Sequence, residues 1–142
     1  MTRRSRAREV ALQVLFQDDL NPGLNPAEAD EFLRTRLRDD ELIEFSRELV
    51  SGVRRNRAEL DKMLGQTADN WSIDRMAATD RNVLRIGAYE ILFHGTPDRV
   101  AINEAVELAK RYGSGHSSQF VNGILDRFLA GHRKESPAKE GL

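Results

Sequence analysis

The stretch from Asp80 to Phe93, DRNVLRIGAYEILF, constrains the fold more than any other part of the chain. Val83, Leu84, Ile86, Gly87, Ala88, Tyr89, Ile91, Leu92 and Phe93 cover most of a helix circumference, whereas a surface helix carries a single apolar stripe. A helix apolar on nearly every side must be enclosed by others. The rest of the chain supplies them: apolar residues recur at helical spacing, and no segment shows the period-two alternation of a half-buried strand. The expected fold class is all-α, a compact bundle of about seven helices, with two subbundles sharing this central element. Gly87 marks a close helix crossing.

Punctuation residues divide the remainder. A first helix, capped between Thr2 and Ser5 and running to about Leu20, turns Ala7, Val10, Ala11, Val14 and Leu15 inward and Leu12 and Phe16 elsewhere. Asn25 as cap, Pro26 at the first position and Glu28 three residues after the cap start a second helix with Ala29, Phe32, Leu33 and Leu37 inward. Asp39 or Asp40 caps a long third helix carrying Leu42, Phe45, Ser46, Leu49, Val53, Leu60 and Leu64, bent near Asn56 and stopped by Gly65. Trp71 anchors the connector that follows. Thr79 caps the central helix, which Gly95 and Pro97 close. Asn103 caps the next, with Ala105, Leu108, Ala109 and Tyr112 inward and Gly113 as its stop. Ser117 caps the last, whose stripe is Val121, Ile124, Leu125, Phe128 and Leu129. Residues 132–142 form a polar tail expected to be disordered.

Several chemistries have no carrier. There is no cysteine, which removes disulfides, thiolate nucleophiles and cysteine zinc sites. No apolar run approaches the roughly 20 residues that span a bilayer, and the start lacks the apolar core of a signal peptide, so the chain reads as cytoplasmic. GSGHSS at residues 113–118 has neither the third glycine of a dinucleotide fingerprint nor the Gly-Lys-Ser/Thr of a P-loop. His94, His116 and His132 lack the i, i+4 spacing of a helical metal site. Glu104 and Glu107 share a helix face near its start, where carboxylates are favoured anyway. No serine sits in a nucleophile motif. Neither a catalytic residue nor a cofactor site is expected.

One cluster resists a bland reading. RRSRAR puts Arg3, Arg4, Arg6 and Arg8 at the start of the first helix of a chain whose formal net charge is −1. A helix N-terminus carries positive partial charge and disfavours added cations. A solvated, frayed end is one explanation. An external polyanion is the other, since phosphate contacts release counterions and arginine grips phosphate in a bidentate way. Single-stranded RNA also needs ring faces for its bases; Phe16 and Phe120, both off the main stripes of their helices, are candidates, although spacing alone slightly favours a core role for each.

RAREVALQVLF, DRNVLRIGAYEI, VAINEAVELAKRYG and FVNGILDR occur in that order across nearly the whole chain short of the tail. In these segments the chain resembles the NusB family of bacterial transcription antitermination factors. The resemblance implies two small three-helix bundles packed across each other, with residues 1–131 forming a single helical RNA-binding antitermination domain without enzymatic activity. It implies as partners single-stranded boxA RNA of nascent ribosomal transcripts, the small-subunit ribosomal protein NusE and, through them, the RNA polymerase elongation complex, whose premature termination is suppressed. It also admits a homodimer in the free state. Matched position by position, the family's RNA-binding side chains fall on Arg4, Arg6 and Arg8, with Arg3 adjacent, on Phe16 and Phe120, and on Asp80, whose carboxylate can accept from a cytosine amino group. The chain departs from the family pattern at Ser5, which interrupts an arginine run, at Phe16, where tyrosine is frequent, and in the serine- and glycine-rich loop 113–119. The same helical module precedes RNA cytosine methyltransferase domains, but this chain shows no strand-rich cofactor region and its end reads as complete. A generic helical adaptor is the third reading, distinguished by partner binding indifferent to RNA.

Overall fold

The computed structural model describes residues 3–23, 25–68 and 72–135. Thr2, Trp71 and the tail beyond residue 135 lie outside the described residues. The elements are α1 Arg3–Leu20, α2 Pro26–Arg36, α3 Asp40–Thr67, α4 Ala78–Tyr89, α5 Asp98–Tyr112 and α6 Ser117–Glu135. A 3₁₀ turn at Ile73–Arg75 precedes α4, and a π-helical turn at Glu90–His94 continues it. No strand occurs among the described residues. Six α-helices rather than seven result because α3 is unbroken for 28 residues and the connector after it forms one short turn. The chain divides into two compact units, Met1–Asn56 and Arg57–Leu142. The boundary falls within α3, so α3, not the apolar helix around Gly87, is the element common to both.

The first unit holds α1, α2 and the front of α3. Asn25 caps α2, its side chain accepting from the Ala27 N–H at 2.9 Å, with Pro26 at the first helical position. Asp39 caps α3, accepting from the N–H groups of Glu41 at 2.9 Å and Leu42 at 3.3 Å. Ala7, Val10, Ala11, Val14 and Leu15 of α1 are buried as their spacing requires, together with Leu33 and Leu37 and with Phe45, Leu49 and Val53 of α3. Leu12 is buried too. One stripe was too narrow a description of α1, which meets neighbours on more than one side. Two bidentate pairs lace the unit, Arg54 with Asp18 (2.7 and 2.8 Å) and Arg47 with Asp30 (2.6 and 3.2 Å).

The second unit is built around α4. Every residue from Asn82 to Ile91 is buried, and Gly87 explains the tightness: a Cβ there would lie 2.7 Å from Leu125 Cδ1 and 3.4 Å from Ala105 Cβ, at the meeting of α4, α5 and α6. Enclosure ends in the π turn, where Phe93 is exposed. The turn closes on Gly95 at φ 79°, the left-handed conformation that glycine adopts without strain. Two buried charges are held from within the unit. Arg85 grips Asp61 through Nε and Nη2 at 2.7 and 2.8 Å, and Glu90 accepts from the Thr96 hydroxyl at 2.8 Å.

Several helix ends fall elsewhere than their side chains suggest. Gly65 is simply helical, because nothing there demands a positive φ, and α3 continues to Thr67. Helix α4 starts at Ala78 with Ala77 in the cap position, which leaves Thr79 and Asp80 in its first turn. Helix α5 starts at Asp98 rather than after Asn103, since Pro97 already sets the backbone for entry and Asp98 complements the helix dipole. Tyr112, expected inward, is exposed at the end of α5. Ser117 does not cap α6: its Oγ accepts from the Ser114 N–H at 2.9 Å, while the His116 carbonyl accepts from the Phe120 N–H at 3.1 Å. The 113–118 loop is thereby explained as a helix stop and restart. Helix α6 reaches Glu135, into the segment expected as tail.

Candidate nucleic-acid interface

The arginine cluster forms the first two turns of α1, and its four members differ in environment. Arg3 is 70% exposed and pairs with Asp39, the cap of α3. Arg6 is 43% exposed, with Nη1 at 3.2 Å from the largely buried Glu9 carboxylate. Arg4 is exposed and holds its guanidinium carbon 4.5 Å from the centroid of the Phe45 ring. Arg8, one turn further on, is only 3% exposed and lies 5.1 Å from the same centroid. Residues four apart occupy one helix face, so Arg4 and Arg8 share Phe45 through the geometry of α1 itself. Both distances fall within the ~6 Å reach of a cation–π contact.

The tip is thus partly neutralised from inside. Asp39 remains anionic to low pH: its carboxyl is held below the ordinary carboxylate range chiefly by the Leu42 N–H, with the Glu41 N–H and Arg3 adding to the effect. Even so, guanidinium surface stays accessible at Arg3, Arg4 and Arg6. The pair of Arg3 with Asp39 lies in solvent, where its attraction is screened, so a phosphate can take the carboxylate's place.

Phe16 is half-buried on α1. At a rise of ~1.5 Å per residue, it lies two turns from Arg8, well along the helix from the exposed cations.

Asp80 and Phe120 belong to the second unit, and the structure brings these two together. With Arg75, Met76, Ser114 and His116 they line a cleft of about 370 Å³, Asp80 in the first turn of α4 and Phe120 in the first turn of α6. Asp80 Oδ1 is buried and accepts no hydrogen bond among the described residues. Buried acceptors are ordinarily satisfied, so this oxygen is an exception.

Phe45, Asp39 and Glu9 were not recognisable as parts of the tip from sequence. Phe45 announced itself only as a member of an apolar stripe and Asp39 only as a cap. Among the described residues, no group of three or more His, Asp or Glu side chains is placed to hold a metal ion. Among the described residues, no helix is long and apolar enough to cross a membrane.

Fold and site together define an all-α protein of two helical units with an arginine-bearing helix start on one and an acid-and-aromatic cleft on the other. The NusB family model matches residues 5–130. A transcription antitermination protein NusB of Bdellovibrio bacteriovorus is 42% identical over 134 residues, covering 93% of this chain and 98% of that protein. A transcription antitermination protein NusB of Myxococcus xanthus is 44% identical over 133 residues, covering 89% and 94%. The structure of NusB from T. maritima matches with a TM-score of 0.80 at 36% identity, over 92% of each chain. A crystal structure of antitermination factors NusB and NusE in complex with dsRNA matches with a TM-score of 0.82 at 30% identity, over 92% of this chain and 98% of that one. The chain belongs to the NusB family.

Proposed function

We propose that this chain is a transcription antitermination factor that binds boxA-type single-stranded RNA of ribosomal transcripts together with the ribosomal protein NusE, suppressing premature termination by RNA polymerase without chemistry of its own. The observation that carries the reading is the exposed guanidinium surface of Arg3, Arg4 and Arg6 on a helix start that is electrostatically hostile to it. An anion drawn to that end meets the helix field and the side chains at once. The related complex of NusB and NusE with RNA supports the same partners here.

In this reading Arg3, Arg4 and Arg6 contact phosphate, and the buried Arg8 completes the cluster from behind. Phe16 and Phe120 offer ring faces to bases. The Asp80 carboxylate, beside Phe120 in the cleft, suits an exocyclic amino group such as that of cytosine. Three or four cations make few contacts, so intrinsic RNA affinity is modest and its log–log salt slope shallow, about −2 to −3 for a single strand.

The test is RNA affinity measured against salt for the wild type and for Arg6→Ala. Loss of one phosphate contact lowers the log–log slope by about 0.7 for a single strand; an unchanged slope and affinity refute the arginine assignment. Recovery of the ribosomal protein from lysate, with and without ribonuclease, separates an RNA-linked factor from an adaptor that ignores RNA.

A further inference from the structure

We infer that Phe45 is a positioning residue for the RNA-binding arginines, an inference that rests on the RNA-binding reading above. The ring sits at 4.5 Å from the Arg4 guanidinium carbon and 5.1 Å from that of Arg8. Phe45 is itself buried on α3, and the next residue fixes the register: Ser46 Oγ donates to the Ala7 carbonyl at 2.9 Å, between the two arginines in sequence. Ring and arginine turn are therefore held at one level of the fold by a buried hydrogen bond.

Packing alone does not require a ring here, because leucine would also continue the apolar stripe of α3. What leucine lacks is a negative π face. Two like charges one turn apart on a helix repel each other, and the helix start repels both; a shared ring offsets part of that. Resting on the ring also removes freedom that Arg4 would otherwise lose when it grips RNA, which is the gain from preorganisation. A planar guanidinium can give its face to a ring and its N–H edge to a phosphate together, so the contact does not compete with binding.

The experiment measures binding of a boxA-type single-stranded RNA oligonucleotide to the full chain by fluorescence anisotropy, with thermal melting of each variant alongside. The variants are Phe45→Leu, Phe45→Tyr, Arg4→Ala and the Phe45→Leu/Arg4→Ala double substitution. Phe45→Leu is expected to weaken binding about three- to tenfold, the scale of ordering one rotamer-rich side chain that the ring no longer holds in place. Phe45→Tyr, which keeps the ring, stays within about twofold of wild type. The double variant binds no more weakly than Arg4→Ala alone, because the ring acts through that arginine. Should Phe45→Leu fail to fold, Phe45→Met takes its place, a flexible side chain of similar bulk. Wild-type affinity in Phe45→Leu alongside a weakened Arg4→Ala overturns the positioning role, as does full additivity in the double variant. Wild-type affinity in Arg4→Ala overturns RNA binding at this tip itself, and the two failures are thereby distinct.

Discussion

Replacing Asp61 by alanine separates a buried charge pair from its many surface counterparts. Arg85 is 3% exposed, and Asp61 meets its Nε and Nη2 at 2.7 and 2.8 Å, while Asn82 Oδ1 accepts from Nη1 at 3.0 Å. Removing one partner of a buried pair costs ~3–5 kcal/mol, because the remaining charge stays out of water. Asp61 retains some solvent access, so the low end of that range, ~3 kcal/mol, applies. Unfolding entropy runs near 2.1 cal/mol/K per residue, roughly 0.3 kcal/mol/K for the 142-residue chain. The expected fall in Tm is therefore about 10 °C. The control is Asp126→Ala, which removes the partner of Arg99 from an exposed pair at 3.5 Å. A contact of that kind is worth ~0–1 kcal/mol, a shift of three degrees at most. Calorimetry or circular dichroism on both variants decides: equal small shifts would refute the claim that burial, not pairing, sets the cost.

Asp39→Asn should strengthen RNA binding by about two- to fivefold at low salt, with a steeper salt slope, because it frees Arg3 of its internal carboxylate. The amide still caps α3, so the melting temperature should barely move; weaker or unchanged RNA affinity counts against exchange of Asp39 for phosphate. Acid should expose the Asp30–Arg47 pair. The Arg47 hydrogen bond holds the Asp30 carboxyl below its ordinary value of 3.8. The stabilisation is therefore present above that value and is lost as the pH falls through the lower, folded-state value. The pair is partly exposed, and screening limits it to about half a kcal/mol. Urea midpoints at pH 5 and pH 2.5 should fall further for wild type than for Asp30→Asn; an identical fall contradicts the linkage.

What the sequence revealed was what neighbours along the chain decide. Asn25 with Pro26 fixes a helix start through adjacent residues alone, and Gly87 in an apolar run signals a close crossing wherever its partners come from. Helix starts at Thr79 and Asn103 misled for the complementary reason: a good capping side chain only competes with backbone geometry, and Pro97 had already decided the entry of α5. The site was legible as a set of residue types and not as environments. Arg3, Arg4, Arg6 and Arg8 look equivalent in RRSRAR, yet Arg8 is buried against Phe45 and Arg3 is paired across 36 positions of sequence. Neither fact follows from spacing on α1, since each depends on where α3 begins. Asp80 and Phe120 converge for the same kind of reason, through the entry turns of two helices far apart in the chain.

The compensation at the arginine tip bears directly on how tightly it can hold RNA. A helix start that carries four cations is stabilised by whatever negative field it can find, and this one finds Asp39, Glu9 and the face of Phe45. The two carboxylates must be exchanged for phosphate before Arg3 and Arg6 can grip, so their contribution to binding is a difference between two favourable contacts. The ring is not exchanged, because face and edge of a guanidinium serve different partners. In the proposed RNA-binding reading Arg4 therefore carries more of the net affinity than its neighbours, although all three present comparable charge. On that proposal, a tip built this way binds RNA weakly alone and gains from any second contact to the same strand, since the ordering of the first contact then has already been met. That is the physical setting in which a factor depends on a protein partner at the same RNA.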